Sequence, residues 1–185
     1  MGRIDPDGDG NDMKYWMVLM TLLSIIVYSC ATRAYRPTST PVTLDGESML
    51  VGEVSFQDIL HFYPDWNNVY QHSEVPDSIV QQIRAIRRPI TLLVFLGTWC
   101  GDSRDGVPPF LKIIQHAHNP NLRVILYGVD RQKLDPDGLA VQYHIERVPT
   151  FIVLENGVEI GRMIEFPEKT FAEDFLEILA SSSNE

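Results

Sequence analysis

The chain has 185 residues, with 25 Asp and Glu against 15 Lys and Arg, so its formal net charge is −10. This acidic balance argues against a nucleic-acid-binding function and against a polybasic membrane patch, because both need clustered Lys and Arg. Two cysteines are too few for a disulfide scaffold or a four-cysteine zinc site. The length and a hydrophobic content of 44% fit one folded domain with extensions.

An uncharged apolar run extends from Tyr15 to Ser29, directly after Lys14. It is shorter than the roughly 20 residues of a membrane-spanning helix and has the length of the apolar region of a signal peptide. We therefore predict that residues 1–29 are a signal peptide. Residues 1–12 are acidic, which is unusual before such a region and indicates a start codon placed too early.

The apolar run ends at Ser29-Cys30, a junction that resembles the bacterial lipobox, in which a small residue precedes a cysteine that becomes diacylated. The resemblance implies lipidation of Cys30 and a protein tethered in the cell envelope, facing the periplasm or the exterior. The alternatives are a secreted protein with an ordinary signal peptide and a single-pass anchor. Residues 30–47 are rich in Thr, Ser and Pro and predict a tether, which leaves residues 48–185 for the domain.

The first half of the domain predicts a strand, a helix, a loop and a helix, at residues 49–55, 56–62, 66–75 and 77–88. In the last of these, Ile79, Ile83 and Ile86 fall on one helical face. Continuous apolar runs then predict buried strands at residues 90–96, 122–129 and 151–154.

The second half of the domain also carries turn and capping signals. Residues 101–117 predict a helix after the first buried strand, and Asp137 and Thr170 predict N-caps of two later helices. Asn156-Gly157 predicts a hairpin that leads into a strand at residues 158–164. The resulting order, β-α-β-α-β-β-α, predicts an α/β fold with a central mixed β-sheet flanked by helices on both faces.

Cys100 lies between the predicted strand at 90–96 and the helix at 101–117. A thiol at a helix N-terminus faces free backbone N–H groups and the positive end of the macrodipole, and both stabilise a thiolate. Cys100 is therefore the candidate nucleophile of the chain.

The runs VFLGTWCGDS at 94–103 and ERVPTFIVLENGVEIGR at 146–162 resemble the thioredoxin superfamily, over roughly residues 80–180. The resemblance implies a thioredoxin-like fold, with a cis proline beside the active-site sulfur and a kinked active-site helix. The residues that match the family pattern are Trp99, Cys100, Gly101, Pro108, Val148, Pro149 and Thr150.

Two positions depart from that pattern. Ser103 stands where the family has its second cysteine, so the chain cannot form the internal disulfide of the family. Val94 stands where many thioredoxins have a buried acid that accepts the proton of that second cysteine. The two departures agree, because a site without a resolving thiol needs no base for it.

The neighbours of Cys100 are expected to influence its thiolate in opposite directions. The Ser103 hydroxyl, one helical turn away, could donate a hydrogen bond to the thiolate and favour it. Asp102 disfavours the thiolate by like-charge repulsion, and Arg104 is placed to offset Asp102. We assign catalytic roles to Cys100 and Ser103, and a shaping role to Trp99, Gly101, Asp102, Val148 and Pro149.

These residues leave two functions open. The first is a membrane-tethered, single-cysteine thiol-disulfide oxidoreductase that forms mixed disulfides through Cys100 with protein or low-molecular-weight substrates. The second is a redox-inactive module that binds peptides or proteins in the groove beside Trp99 and Pro149. A thiol peroxidase is excluded, because peroxiredoxins have Thr or Ser three residues before the reactive cysteine and this chain has Gly97 there.

The sequence also bears on cofactors and on the oligomeric state. Neither open function needs a cofactor, and the five histidines show no spacing that predicts a metal site. We expect a monomer.

Overall fold

A computed structural model describes residues 35–182 of the chain. The strands in this range are β1 Val42–Leu44, β2 Glu47–Met49, β3 Gly52–Val54, β4 Ile90–Leu96, β5 Leu122–Gly128, β6 Thr150–Glu155 and β7 Val158–Ile164. The helices are α1 Phe56–Phe62, α2 Pro64–His72, α3 Asp77–Arg84, α4 Gly101–Ala117, α5 Leu139–Gln142 and α6 Phe171–Ser181. The predicted signal peptide, residues 1–29, and Cys30 lie outside the described residues.

Five strands form the central sheet in the order β3-β5-β4-β6-β7. β4 and β5 are parallel and the other neighbouring pairs are antiparallel, so the sheet is mixed, as predicted. Leu92 of β4 lies opposite Val124 of β5, and the pairing continues to Leu96 opposite Gly128. The carboxyl ends of these two parallel strands therefore meet at one edge of the sheet.

The side chains of β4 alternate between two hydrophobic cores. Leu92, Val94 and Leu96 belong to the larger core, to which α1, α2, α3, α4 and α6 contribute. Leu93 and Phe95 belong to a smaller core, to which α5 contributes. Because successive side chains of a strand point to opposite faces, a strand buried on both faces must be apolar throughout. The predicted α/β, thioredoxin-like fold with helices on both faces of the sheet is confirmed.

The predicted apolar face of α3 and the predicted cap at Thr170 are also confirmed. In α3, Ile83 is fully buried while Ile79 packs at the edge of the larger core. In α6, Phe171 and Phe175 are buried, and the Thr170 side chain accepts a hydrogen bond from the backbone N–H of Glu173 as the N-cap. α3 ends at Arg84, earlier than predicted.

The predicted loop at residues 66–75 is wrong, because most of it is helix α2. Pro64 occupies the first turn, where its missing N–H costs nothing. Trp66, Val69 and Tyr70 have the i, i+3, i+4 spacing of a helix face, and Trp66 is buried. The weak helix formers Asn67 and Asn68 between them obscured that spacing.

The predicted cap at Asp137 is also wrong. Gly138, in the left-handed region, is the N-cap of α5, and its own φ is 74°. The carboxylate of Asp135 instead accepts hydrogen bonds from the backbone N–H groups of Leu139 and Ala140, at 3.2 and 2.6 Å. An aspartate carboxylate therefore does cap the start of α5, as predicted, but it belongs to Asp135 and not to Asp137.

The single strand predicted at 49–55 is two strands in two sheets. β2 pairs with β1 in an antiparallel hairpin, whereas β3 joins the edge of the central sheet. Between them the backbone N–H of Leu50 donates to the Thr98 hydroxyl at 3.1 Å. The described end of the predicted tether, residues 35–47, thus includes β1 and the start of β2.

Candidate functional site

Cys100 is the N-cap residue of α4, at the carboxyl end of β4. A tight turn places it there, since the Cys100 N–H donates to the Gly97 carbonyl at 2.9 Å. The Cys100 side chain is half-buried and makes no capping hydrogen bond to the first turn of the helix. The N–H groups of that turn and the helix dipole are therefore available to stabilise a negative charge on the sulfur.

The Val148–Pro149 turn faces the sulfur from the other side. The Val148–Pro149 peptide bond is cis, and both residues are buried. The Cys100 thiol donates to the Val148 carbonyl with an Sγ–O distance of 3.4 Å. The structure thus brings together three of the predicted site residues, Cys100, Val148 and Pro149.

Ser103 is fully buried one turn into α4. Its hydroxyl oxygen accepts the backbone N–H of Gly97 at 3.3 Å, which braces the turn that precedes Cys100. Within residues 35–182 no hydrogen bond joins the Ser103 hydroxyl to the Cys100 sulfur. In this structure Ser103 supports the turn, and its predicted donation to a thiolate stays a prediction.

Trp99 lies at the edge of the site, half-buried. Its indole Nε1 donates to the Val129 carbonyl at 2.9 Å, just beyond the end of β5. Two cations lie over the ring: the Arg131 guanidinium carbon is 4.9 Å, and the Lys133 Nζ 5.8 Å, from the ring centroid. The ring of Trp99, the residue before Cys100, therefore binds two positively charged side chains by cation–π contacts.

Glu47 of β2 holds Arg131 in that position through a two-pronged ion pair, with one nitrogen–oxygen distance of 2.7 Å. The hydrogen bond with Glu47 is the main cause that raises the pKa of Arg131, and the negative charge of an ionised Cys100 raises that pKa further. Arg131 and the thiolate are thus electrostatically coupled.

Arg131, Lys133 and Glu47 were not predicted as site residues. Arg131 and Lys133 follow β5, whose carboxyl end meets that of β4 because the two strands are parallel neighbours. Two adjacent buried strands in the sequence could therefore have indicated that residues after the second would approach Cys100. Glu47 gave no such signal, because it lies 84 residues from Arg131 in the chain.

Arg104 forms its ion pair with Asp105 rather than with Asp102. Its guanidinium binds both carboxylate oxygens of the next residue, Asp105, at 2.8 and 3.2 Å. This hydrogen bonding is the main cause that raises the pKa of Arg104. Asp102 and Gly101 are exposed at the start of α4.

A small cleft of about 230 Å³ opens beside Cys100. One wall is the turn and helix start at residues 98–101 together with Arg104, and the other is the α1–α2 junction at residues 62–66. Phe62, Tyr63 and Pro64 therefore shape the approach to the sulfur, although the sequence gave no functional signal for them.

Two further observations concern metals and membranes. In the described part of the chain, no three His, Cys, Asp or Glu side chains cluster as a metal site would require. A search of the same residues finds no helix with the length and apolar character to cross a bilayer.

Comparisons with known proteins place this geometry in a family. A thioredoxin family model matches residues 54–175. The thioredoxin of Mycoplasma genitalium is 34% identical over 76 residues, which cover 41% of this chain and 69% of that thioredoxin.

Two solved structures have a similar fold. A protein of unknown function from Pseudomonas aeruginosa superposes with a TM-score of 0.56 at 19% identity, covering 71% of this chain and 93% of its own. An HIV epitope scaffold has a TM-score of 0.54, also at 19% identity, covering 70% and 93%. The fold, the cysteine at the start of α4 facing a cis proline, and the match over residues 54–175 agree, and the chain belongs to the thioredoxin family.

Proposed function

We propose that this protein is a membrane-tethered, extracytoplasmic thiol-disulfide oxidoreductase that works through the single thiol of Cys100. The observation that carries the proposal is the half-buried Cys100 sulfur at the N-terminus of α4, 3.4 Å from the Val148 carbonyl. The thiolate is the form that attacks disulfides, and a helix N-terminus is the kind of environment that stabilises it. The Arg131 guanidinium, over the ring of the neighbouring Trp99, adds a positive charge to the site.

The reaction is an exchange of one disulfide for another. The Cys100 thiolate attacks one sulfur of a substrate disulfide, a bond forms between these two sulfurs, and the other sulfur leaves as a thiolate that takes up a proton. Ser103 cannot resolve the mixed disulfide, because it has no sulfur. A second thiol, from a partner protein or a small molecule, attacks the substrate sulfur and releases Cys100 as a thiolate.

Incubation of the protein with a disulfide-containing peptide, followed by non-reducing electrophoresis and peptide mass spectrometry, tests the proposal. We expect a stable adduct mapped to Cys100, no adduct with Cys100→Ser, and release only when an external thiol is added. Ser103→Cys should release the peptide without an external thiol, by forming an internal disulfide. Ser103→Ala is its matched control and should keep the adduct.

An unmodified Cys100 after incubation, in a protein with a native circular dichroism spectrum, would contradict the proposal. It would favour a redox-inactive member of the family that binds peptides beside Trp99 and Pro149.

The tethering part of the proposal depends on the sequence of residues 13–30, which the structure does not describe. The short apolar run and its terminal cysteine support a lipid on Cys30, and two or more acyl chains give durable anchoring. Mass spectrometry of the mature N-terminal peptide should find Cys30 as the first residue with its acyl chains. A mature chain that begins elsewhere would refute lipidation.

A further inference from the structure

A wide groove lies on the α4 surface away from the small cleft beside Cys100. It encloses about 800 Å³, and α4, α6, the loop at residues 165–170 and residues 73–79 surround it; we call it the α4–α6 groove. Its volume is in the range of ligand-binding clefts. The groove is not needed for the exchange chemistry at the sulfur.

The interior of the α4–α6 groove is apolar. Phe110 and Ile113 of α4 and Phe171 of α6 provide buried side chains, and Ile79 of α3 is partly exposed there. Phe166 is 66% exposed at the edge, which is unusual for a phenylalanine. The groove therefore offers an apolar surface to a bulky side chain.

The rim is negatively charged. Five carboxylates line the groove against one ammonium group, Lys169: Glu74, Asp102, Asp105, Glu165 and Glu173. Asp105 and Glu165 are offset by ion pairs with Arg104 and Arg147, and Lys169 pairs with Glu177 outside the lining. Among residues 35–182, neither Glu74 nor Asp102 forms an ion pair. The surplus of negative charge is complementary to a positively charged segment.

Two residues that line the α4–α6 groove connect it to the site around Cys100. Asp102 is two residues beyond Cys100, and the backbone N–H of Glu165 donates to the Pro149 carbonyl at 2.7 Å. Pro149 is bonded to Val148, whose carbonyl contacts the sulfur. The groove and the sulfur are therefore on neighbouring parts of the fold, and the residues that flank a cysteine joined to Cys100 are the part of a substrate placed to meet the groove.

We propose that the α4–α6 groove selects polypeptide substrates in which the disulfide cysteine is followed or preceded by Lys or Arg and a bulky apolar residue. This inference rests on the proposed exchange function. It assigns the main substrates to polypeptides rather than to small disulfides, because small disulfides lack the cationic and bulky apolar flanking residues that the groove would bind. The carboxylates accelerate the encounter, and the apolar floor holds the flanking side chain.

The test measures second-order rates of pyridine-2-thione release from short peptides whose single cysteine carries a thiopyridyl group. One peptide has Lys and Phe flanks, a second has Glu and Phe, and a third has Lys and Ser. Attack on the peptide sulfur leaves the peptide on Cys100 and releases one pyridine-2-thione, which is read by absorbance. The small neutral reagent 2,2′-dithiodipyridine reports the intrinsic reactivity of the thiol, and Cys100→Ser gives the background.

We expect the Lys and Phe peptide to react about tenfold faster than the Glu and Phe peptide at low salt, with the difference shrinking as salt screens the rim. Glu74→Lys should reduce that preference about three- to tenfold, and Phe166→Ser should slow the Lys and Phe peptide to the rate of the Lys and Ser peptide. Glu53→Lys is the matched control, because Glu53 is an exposed carboxylate on β3 outside the groove. The small reagent should react equally with all of these proteins.

Equal rates for the three peptides, or a preference that Glu74→Lys leaves unchanged, would overturn the inference. Failure of the small reagent to modify Cys100 would instead refute the proposed exchange function. In that case the groove is tested by the binding of a fluorescent Lys and Phe peptide with Ser in place of Cys. Binding that Glu74→Lys weakens and Glu53→Lys does not would then support the groove, and absence of binding would overturn it.

Discussion

The indole ring of Trp99 fills the space that a side chain at position 97 would need. A Cβ atom on Gly97 would lie 2.6 Å from Cε2 of Trp99, far inside van der Waals contact. The indole can cover the site and donate to the Val129 carbonyl only because residue 97 has no side chain. The absence of Thr or Ser at this position, which argued against a peroxidase, thus has a steric reason in the structure.

We expect Gly97→Ala to displace the Trp99 indole and to lower the free energy of unfolding by about 1–3 kcal/mol, the usual cost of overpacking. The displaced ring would lose the contact with Arg131, so tryptophan fluorescence and the rate of Cys100 alkylation should both change. Urea unfolding followed by fluorescence and circular dichroism measures the stability.

Gly101→Ala is the matched control for this substitution. A Cβ on Gly101 would approach no atom closer than 3.9 Å, at the flexible end of Arg104. The control should be neutral or slightly stabilising, since alanine favours the helix. Equal effects of the two substitutions would show that Gly97 is not constrained by the indole.

At the scale of elements, helix α1 anchors the chain segment that precedes the first hairpin. Asp58 of α1 is fully buried, and its carboxylate accepts four hydrogen bonds from Thr38 and Ser39, two from backbone N–H groups and two from hydroxyls. The distances are between 2.7 and 3.1 Å. A buried carboxylate needs such donors to replace its lost hydration. Residues 38 and 39 therefore belong to the folded domain rather than to a free spacer.

We expect Asp58→Asn to lower the free energy of unfolding by about 2–4 kcal/mol. The substitution replaces one acceptor oxygen by an NH₂ group, which cannot accept the hydrogen bonds that Thr38 and Ser39 donate. The backbone amides of Thr38 and Ser39 should then lose their protection from hydrogen exchange. Glu53→Gln, the same chemical change at an exposed position of β3, should change neither quantity measurably. Retained protection of both amides in the Asp58 variant would contradict this role.

The elements that sequence reasoning predicted best are those specified by local pattern. β4, α1, α4 and β7 have the predicted bounds, because continuous apolar runs, caps and turns lie within each element. α2 and the β1–β2 hairpin were missed, since their polar residues carry weak propensities and their positions depend on contacts with distant parts of the chain.

At the scale of the whole molecule, the described residues from Pro37 onward form one compact unit. This unit contains both hydrophobic cores, the Asp58 anchor and every described residue of the site. We therefore expect a chain that begins at Pro37 to fold, with an unfolding free energy within about 0.5 kcal/mol of that of the full chain. Its rate of Cys100 alkylation should also be unchanged.

A chain that begins at Leu50 is the contrasting truncation. It lacks the donors to Asp58 and the Glu47 partner of Arg131, so we expect lower stability and altered Cys100 reactivity. Calorimetry and alkylation rates on both proteins check the prediction. Equal stability of the two truncated chains would show that residues 37–49 do not contribute to the domain.

Short local patterns in the sequence predict the buried strands and the thiol at the start of α4, and the order of the elements predicts the mixed sheet. The proline turn at 148–149 is implied by the resemblance to the thioredoxin superfamily. The surroundings of the sulfur follow from the tertiary structure. They include the cations over the Trp99 ring, the ion pair between Glu47 and Arg131, and the hydrogen bond between Ser103 and Gly97. The acidic groove along α4 is likewise a tertiary feature. Apart from the Ser103–Gly97 hydrogen bond, these contacts join residues far apart in the chain, and such pairs meet only after the strands have taken their order in the sheet.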